Sequence, residues 1–253
     1  MKDHSVLSCE KVTVSFDGFL ALREMDFELR QGELRFLIGP NGAGKTTLLD
    51  AICGKVKPVS GTLKLQGDSG PVELAALKEH EIASRGIGRK FQTPSVFAAL
   101  TVKENMEIAM KQRRSVLSVL FARSKPEERD QLHECLKTVG LEGKGDRKAG
   151  ALSHGEKQWL EIGMILMQDP SVMLLDEPAA GMTDAETEKT GELLLRIREK
   201  RTIVVVEHDM DFVRAFSSKV TVMHEGRLLA EGTMEEVQND DRVAEVYLGK
   251  KAG

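Results

Sequence analysis

Residues 39–46 are Gly39, Pro40, Asn41, Gly42, Ala43, Gly44, Lys45 and Thr46, a full match to Gly-x-x-x-x-Gly-Lys-[Ser/Thr]. Glycines at these positions let the backbone curl closely around phosphates with its N–H groups turned inward. The start of the helix that follows adds its positive dipole end. Lys45 can reach the β- and γ-phosphates of a nucleotide, Thr46 offers a hydroxyl to Mg²⁺, and Thr47 offers a further phosphate contact. A chance glycine turn is the competing reading, and the apolar strand directly before the loop argues against it. A second group is Asp176 and Glu177, which close the apolar run 172–175. Two carboxylates at the end of a buried strand suit a ligand site at the carboxyl edge of a parallel sheet. Asp176 would hold Mg²⁺, directly or through water, and Glu177 would polarise or deprotonate an attacking water. A third group, Leu152, Ser153, His154, Gly155 and Glu156, carries an N-cap serine and a glycine that lets a phosphate approach the backbone. By itself it reads as an ordinary capped helix running to about residue 167, with Leu160, Ile162 and Ile165 facing the core.

These groups need an α/β scaffold. Val12, Val14 and Phe16 alternate with polar neighbours, as do Phe27 and Leu29, and Gln31 and Gly32 supply a turn before the strand 34–38. A strand, the glycine loop and a helix over about 45–53 then form the start of an α/β unit. Residues 61–66 read as another short strand. From about 93 to 163 β-branched runs are few, and helical spacing appears at 103–110 and 127–139, where Leu132, Cys135, Leu136 and Val139 share a face. This is an α-helical subdomain inserted into the α/β core. Between its helices, residues 111–126 combine Arg113, Arg114, Arg123 and Lys125 with apolar residues. They read as a helix with a solvated basic face, or alternatively as a contact for a partner or for membrane headgroups. Residues 171–175 and 202–206 are short apolar runs of the kind buried on both faces of a parallel sheet. Helices follow each, at about 185–200 and 210–216, and 220–231 reads as a β-hairpin turning at Glu225 and Gly226.

Composition sets outer bounds. The 253 residues hold 36 Lys+Arg against 40 Asp+Glu, a net charge of −4 that offers no global attraction to nucleic acid. Eleven aromatic residues are too few for an evident base-stacking platform. Cys9, Cys53 and Cys135 lack Cys-x-x-Cys spacing, so reduced thiols are expected rather than disulfides or zinc. The longest apolar run, 96–100, is far short of a membrane span. The first residues lack a signal-peptide core, so a cytoplasmic chain is expected.

Taken in order, residues 39–47, Gln92, 153–158, 172–177 and His208 resemble the ATP-binding subunit of ABC transporters over nearly the whole chain. The family's signature, Leu-Ser-Gly-Gly-Gln, stands here as Leu152, Ser153, His154, Gly155 and Glu156. The resemblance implies a P-loop ABC ATPase core, a mixed sheet with an N-terminal antiparallel β part, and an inserted α-helical subdomain. The division is expected at 1–92, 93–165 and 166–253. It also implies a head-to-tail dimer, of two copies or with a paralogous ATPase, in which each ATP lies between one subunit's phosphate loop and the other's Ser153 and Gly155. Phe16 matches the aromatic residue that stacks on adenine, with Phe19 as the fallback. Gln92 matches the glutamine that senses Mg²⁺ and water, and His208 the histidine that contacts the γ-phosphate and orients Glu177. Two positions depart from the pattern. Thr183 stands where the family has an aspartate, which puts that loop's usual contact between subunits in doubt, and Glu156 replaces glutamine.

Finer strings resemble the importers of branched-chain amino acids and urea: 86–92, 207–210 and 246–249. Residues 157–164 and 180–184 look closest to the urea-transport ATP-binding subunit. The implied chain hydrolyses ATP on the inner face of the cell membrane to drive uptake of a small polar solute, with urea expected, docked on integral membrane permeases and served indirectly by a solute-binding protein. Residues 93–100, with Val96 and Phe97 exposed, would form a groove for permease helices. The alternatives are a branched-chain amino acid importer ATPase and a soluble ABC ATPase acting in protein-complex assembly. Glu177 and His208 argue against a regulator that switches without turnover.

Overall fold

A computed structural model describes residues 4–67, 70–90, 96–110 and 126–248. The chain opens with two long strands, β1 (Ser5–Phe16) and β2 (Phe19–Arg30), paired antiparallel. Then come β3 (Leu34–Ile38), α1 (Lys45–Ile52), β4 (Ser60–Gly67), β5 (Gly70–Glu73), α2 (Glu79–Ser84) and β6 (Ile87–Arg89). Among the described residues the helices α3 (Val102–Ala109), α4 (Pro126–Thr138) and α5 (His154–Leu166) follow. The last part alternates β7 (Val172–Asp176), α6 (Asp184–Arg198), β8 (Thr202–Val206), α7 (Met210–Phe216), β9 (Lys219–His224) and β10 (Arg227–Gly232), and ends in α8 (Met234–Gln238) and α9 (Asp241–Leu248).

Two sheets result. The antiparallel one has the order β2-β1-β4-β5. The other has the order β10-β9-β3-β8-β7-β6, and all its neighbours are parallel except the β9–β10 hairpin. This is the expected α/β fold of mixed strands with a helical part. The sequence reading places most later strands and helices within a few residues, but β1 and β2 begin well before the alternation at 12–16 and 27–29 that reveals them. It leaves out β5, β6, α2 and the C-terminal helices, which are short or lack a clean period. The basic segment 111–125 and Gln92 lie outside the described residues.

β3, β7 and β8 are buried along their whole length on both faces. Period-two alternation divides their side chains between two cores. Leu34, Phe36, Ile38, Met173, Leu175, Ile203 and Val205 join the helices α3–α6 in one cluster. Leu37, Val172, Leu174, Val204 and Val206 join α1 and the antiparallel sheet in the other. Leu132, Cys135, Leu136 and Val139 all enter the helical core, as their spacing predicts. The three cysteines are buried and unpaired with one another. Val96 packs against the helical core rather than standing exposed, whereas Phe97 is exposed. Among the described residues no helix is long and apolar enough to cross a membrane.

Arg35 on β3 joins the two sheets. It is fully buried and forms ion pairs with Glu33 and with Glu231 on β10. It also donates to Thr221 Oγ1 on β9 (2.6 Å) and to the Glu28 carbonyl on β2 (3.1 Å), and its guanidinium lies 5.4 Å from the centre of the Phe27 ring. Burial works against ionisation of Glu231, but Lys219, Arg35 and Thr221 outweigh it and hold the carboxyl below its ordinary value. A carboxyl with a depressed folded-state pKa stabilises the fold above its unfolded value and loses that contribution as pH falls through the folded one. Glu231→Ala is therefore expected to cost about 2–3 kcal/mol at neutral pH. The deficit relative to the parent should shrink as urea-unfolding measurements move below about pH 4.3.

Candidate active site

The site grows from the carboxyl end of the parallel strands. β3 ends at Ile38, and the chain turns through Gly39, Gly42 and Gly44, all at positive φ, into α1. Two of these glycines are forced by contact. A Cβ on Gly39 (φ 148°) would lie 2.2 Å from the Met223 carbonyl oxygen, and one on Gly44 (φ 99°) would lie 2.6 Å from that of Ala21. The loop thus fits between β9 and the β1–β2 hairpin only without side chains there. Lys45 folds back over it, and its Nζ donates to the carbonyls of Gly39 (2.7 Å) and Pro40 (3.0 Å). Burial lowers the Lys45 pKa, with Asp176 and Glu177 pulling it back up.

Alternation along β7 puts Asp176 on the same face as Val172 and Leu174, toward α1. Its Oδ2 accepts from the Thr46 hydroxyl at 3.3 Å. Its Oδ1 is buried without a hydrogen-bond partner. Burial pushes the Asp176 carboxyl up, the Arg89 guanidinium opposes it, and Glu177 adds to the rise. A hydroxyl beside an orphaned carboxylate oxygen is a hard oxygen donor set, which fits Mg²⁺ with water completing its shell.

Glu177 continues past β7 at φ 48°, with its N–H held by the Val206 carbonyl at 2.9 Å. Its Oε1 lies 3.0 Å from His208 Nε2, just beyond β8. Both side chains remain partly exposed and face a cavity of about 380 Å³. Asn41, Gly42, Ala43, Gly44, Lys45, Thr46, Thr47, Glu177 and His208 line it, and so do both Phe16 and Phe19. Phe16 is 45% and Phe19 63% exposed, facing each other across the β1–β2 turn, so neither is a core residue.

Ser153 and Gly155 do not line that cavity. Ser153 caps α5, and its backbone and side chain form a reciprocal capping box with Glu156. Its hydroxyl also donates to Glu186 Oε1 at 3.2 Å. Gly155 makes room for that same carboxylate, since a Cβ there would sit 2.5 Å from Glu186 Oε1. Both sequence departures have local reasons. Glu156 closes the box and pairs with Lys144. Thr183 caps α6 in a second box with Glu186.

Sequence reasoning missed three buried charged residues near the site. Glu207, one position before His208, accepts the N–H groups of Ala179 and His208. Lys90 and Glu161 form a buried ion pair at 3.8 Å. An acidic residue directly after the apolar run 202–206 was a usable signal for Glu207. Lys90 and Glu161 sit in mixed surroundings that give no such cue.

A glycine phosphate loop and the Glu177–His208 pair facing one cleft at the carboxyl edge of a parallel sheet, with Asp176 buried beside Thr46, define a P-loop ATPase. The chain belongs to the ABC transporter family, whose model matches residues 22–180. A second model, that of the branched-chain amino acid ATP-binding cassette transporter, matches residues 227–253. The high-affinity branched-chain amino acid transport ATP-binding protein LivG of Salmonella typhimurium is 36% identical over 97% of this chain and 98% of its own. A nucleotide-free ATP-binding cassette from an ABC transporter superposes with a TM-score of 0.84 at 30% identity, covering 98% of this chain and 100% of the other. A dimeric cassette in a post-hydrolysis state, bound to ADP and Pi, gives 0.75 at 28% identity over 90% of this chain and 98% of its own.

Gly39→Ala combines a forced clash with an unfavourable φ, so it should cost more than about 2 kcal/mol in urea unfolding. A loss under about 0.5 kcal/mol would show that the loop is not pinned against Met223.

Proposed function

We propose that this chain is the ATP-hydrolysing subunit of an importer for branched-chain amino acids. It would work as a head-to-tail dimer on integral membrane permeases at the inner face of the cell membrane, with a solute-binding protein delivering the solute. The observation that carries the hydrolytic reading is the Glu177–His208 contact facing the same cleft as the phosphate loop. The solute reading rests on the relative LivG and on the C-terminal match. These findings favour branched-chain amino acids over urea, the other solute suggested by the strings 157–164 and 180–184.

In this reading the triphosphate lies along residues 39–47. Lys45 exchanges its two carbonyl partners for phosphate oxygens, and the inward N–H groups and the start of α1 offset further charge. Phe16 stacks on the adenine, with Phe19 beside it. Thr46, Asp176 and Gln92 hold Mg²⁺, which supplies charge neutralisation on the phosphates. Glu177 accepts a hydrogen bond from the attacking water and takes its proton, while His208 fixes the carboxylate's direction. Ser153 and Gly155 of a second subunit complete the phosphate shell, with the positive end of α5 facing the γ-phosphate. Two features support that last step: both residues lie outside their own chain's cleft, and a similar cassette is dimeric.

Glu177→Gln is expected to keep ATP binding while turnover falls by about 10²–10⁴-fold, the range for removing a general base. The same variant should accumulate ATP-dependent dimer in gel filtration. Near-normal turnover would remove Glu177 from its role. For the solute, ATPase activity of the complex reconstituted with its permeases and binding protein should rise on adding leucine, isoleucine or valine and stay flat with urea. The reverse pattern would restore the urea reading.

A further inference from the structure

The alternation that sends Asp176 toward α1 sends other residues to the opposite face of the sheet, where charge is costly to bury. Arg89 on β6 faces α1 and pairs with Asp50, so the next residue, Lys90, turns toward the helices. There it is 6% exposed and paired with Glu161 of α5, itself 6% exposed. Glu207 follows Val206 on this face and is 4% exposed. Lys90 lies within electrostatic reach of Glu161, Glu207 and Asp176 together. Three ionisable side chains are thus buried just behind the catalytic edge, and the hydrolytic steps above use none of them.

Glu207 has a specific geometry. One carboxylate oxygen accepts the N–H of Ala179 at 3.1 Å, two residues after Glu177. The other accepts the N–H of His208 at 3.2 Å. The Glu177 N–H is tied to the Val206 carbonyl. The two chain segments are therefore joined three times: by backbone through Val206, by the Glu207 carboxylate, and by the Glu177–His208 side-chain contact that they carry. Without the carboxylate, the His208 backbone and the turn after Glu177 each lose a buried acceptor.

We infer that Glu207 is a positioning residue for hydrolysis: it clamps the segments bearing Glu177 and His208 at the separation that keeps the two side chains in contact. The inference rests on the roles proposed above for Glu177 and His208. It places the acceptor on a rigid strand end, which suits a group that must hold direction through a turnover.

The test is steady-state ATP hydrolysis and nucleotide affinity of the purified full-length chain. Glu207→Gln keeps one acceptor and the shape of the side chain, and Glu207→Ala keeps neither. Turnover should fall in a graded series, about tenfold for glutamine and about 100-fold for alanine, the scale of an ångström-level misplacement. KM and ATP affinity should stay within about threefold, because the phosphate loop is untouched. In a His208→Ala background, single-turnover rates should show little further loss on adding Glu207→Gln, since the partner being positioned is gone. A soluble Glu207→Gln protein with parental turnover would overturn the inference, as would full additivity with His208→Ala. If Glu207→Ala does not fold, the glutamine series and the double variant decide. Loss of turnover in Glu177→Gln but not in Glu207→Gln sinks only this inference, whereas parental turnover in Glu177→Gln sinks the reading beneath it.

Discussion

The structure depends on the parallel register of β3, β8 and β7. Leu37 sits opposite Val206, and Asp176 lies opposite the same residue from the other side. Three strand ends therefore stop at one level, and the phosphate loop, the carboxylate pair and His208 emerge side by side. A slip of one residue would turn Asp176 away from Thr46 and send every buried side chain of the slipped strand into the opposite core. The burial that fixes the register is the same burial that aims the chemistry.

Alternation assigns different work to the two faces of this sheet. Toward α1 it delivers Asp176 and Arg89, which meet Thr46 and Asp50. Toward the helices it delivers Lys90 and Glu207, which meet α5 and the turn after Glu177. Arg35 makes the same kind of junction lower down, holding the antiparallel sheet to β9 and β10 through polar contacts in an otherwise apolar layer. Among the described residues, the buried charges Arg35, Lys90, Glu161, Asp176 and Glu207 each meet a partner from another part of the fold.

Much of this was legible in the sequence. The loop of residues 39–46 follows a dense apolar strand, and the runs 172–175 and 202–206 are too short for helices and too apolar for an exposed face. Ser153 reads as an N-cap and proves to be one. Phe16 and Phe19 needed the structure, because a lone phenylalanine on an edge strand reads equally well as core; only its exposure and its place beside the loop distinguish the two. Lys90, Glu161 and Arg35 were not legible, because charged residues read as surface until a topology buries them. Val96 shows the opposite case: an apolar residue that looks available for docking is held by its own chain's core.

In the proposed dimer one chain carries two halves of different sites, its phosphate loop serving one nucleotide and its α5 start serving the other. Complementation measures this most directly. Lys45→Ala disables a loop, and Ser153→Arg blocks an α5 start. Each variant alone should hydrolyse ATP at a background rate. Mixed in equal amounts, they can form a heterodimer with one intact site, made from the loop of the Ser153→Arg copy and the Ser153 of the Lys45→Ala copy. Recovery of a substantial fraction of parental activity on mixing is the predicted result. A mixture as inactive as its components, under conditions where the heterodimer is shown to form, would contradict it and return Ser153 to a purely structural cap.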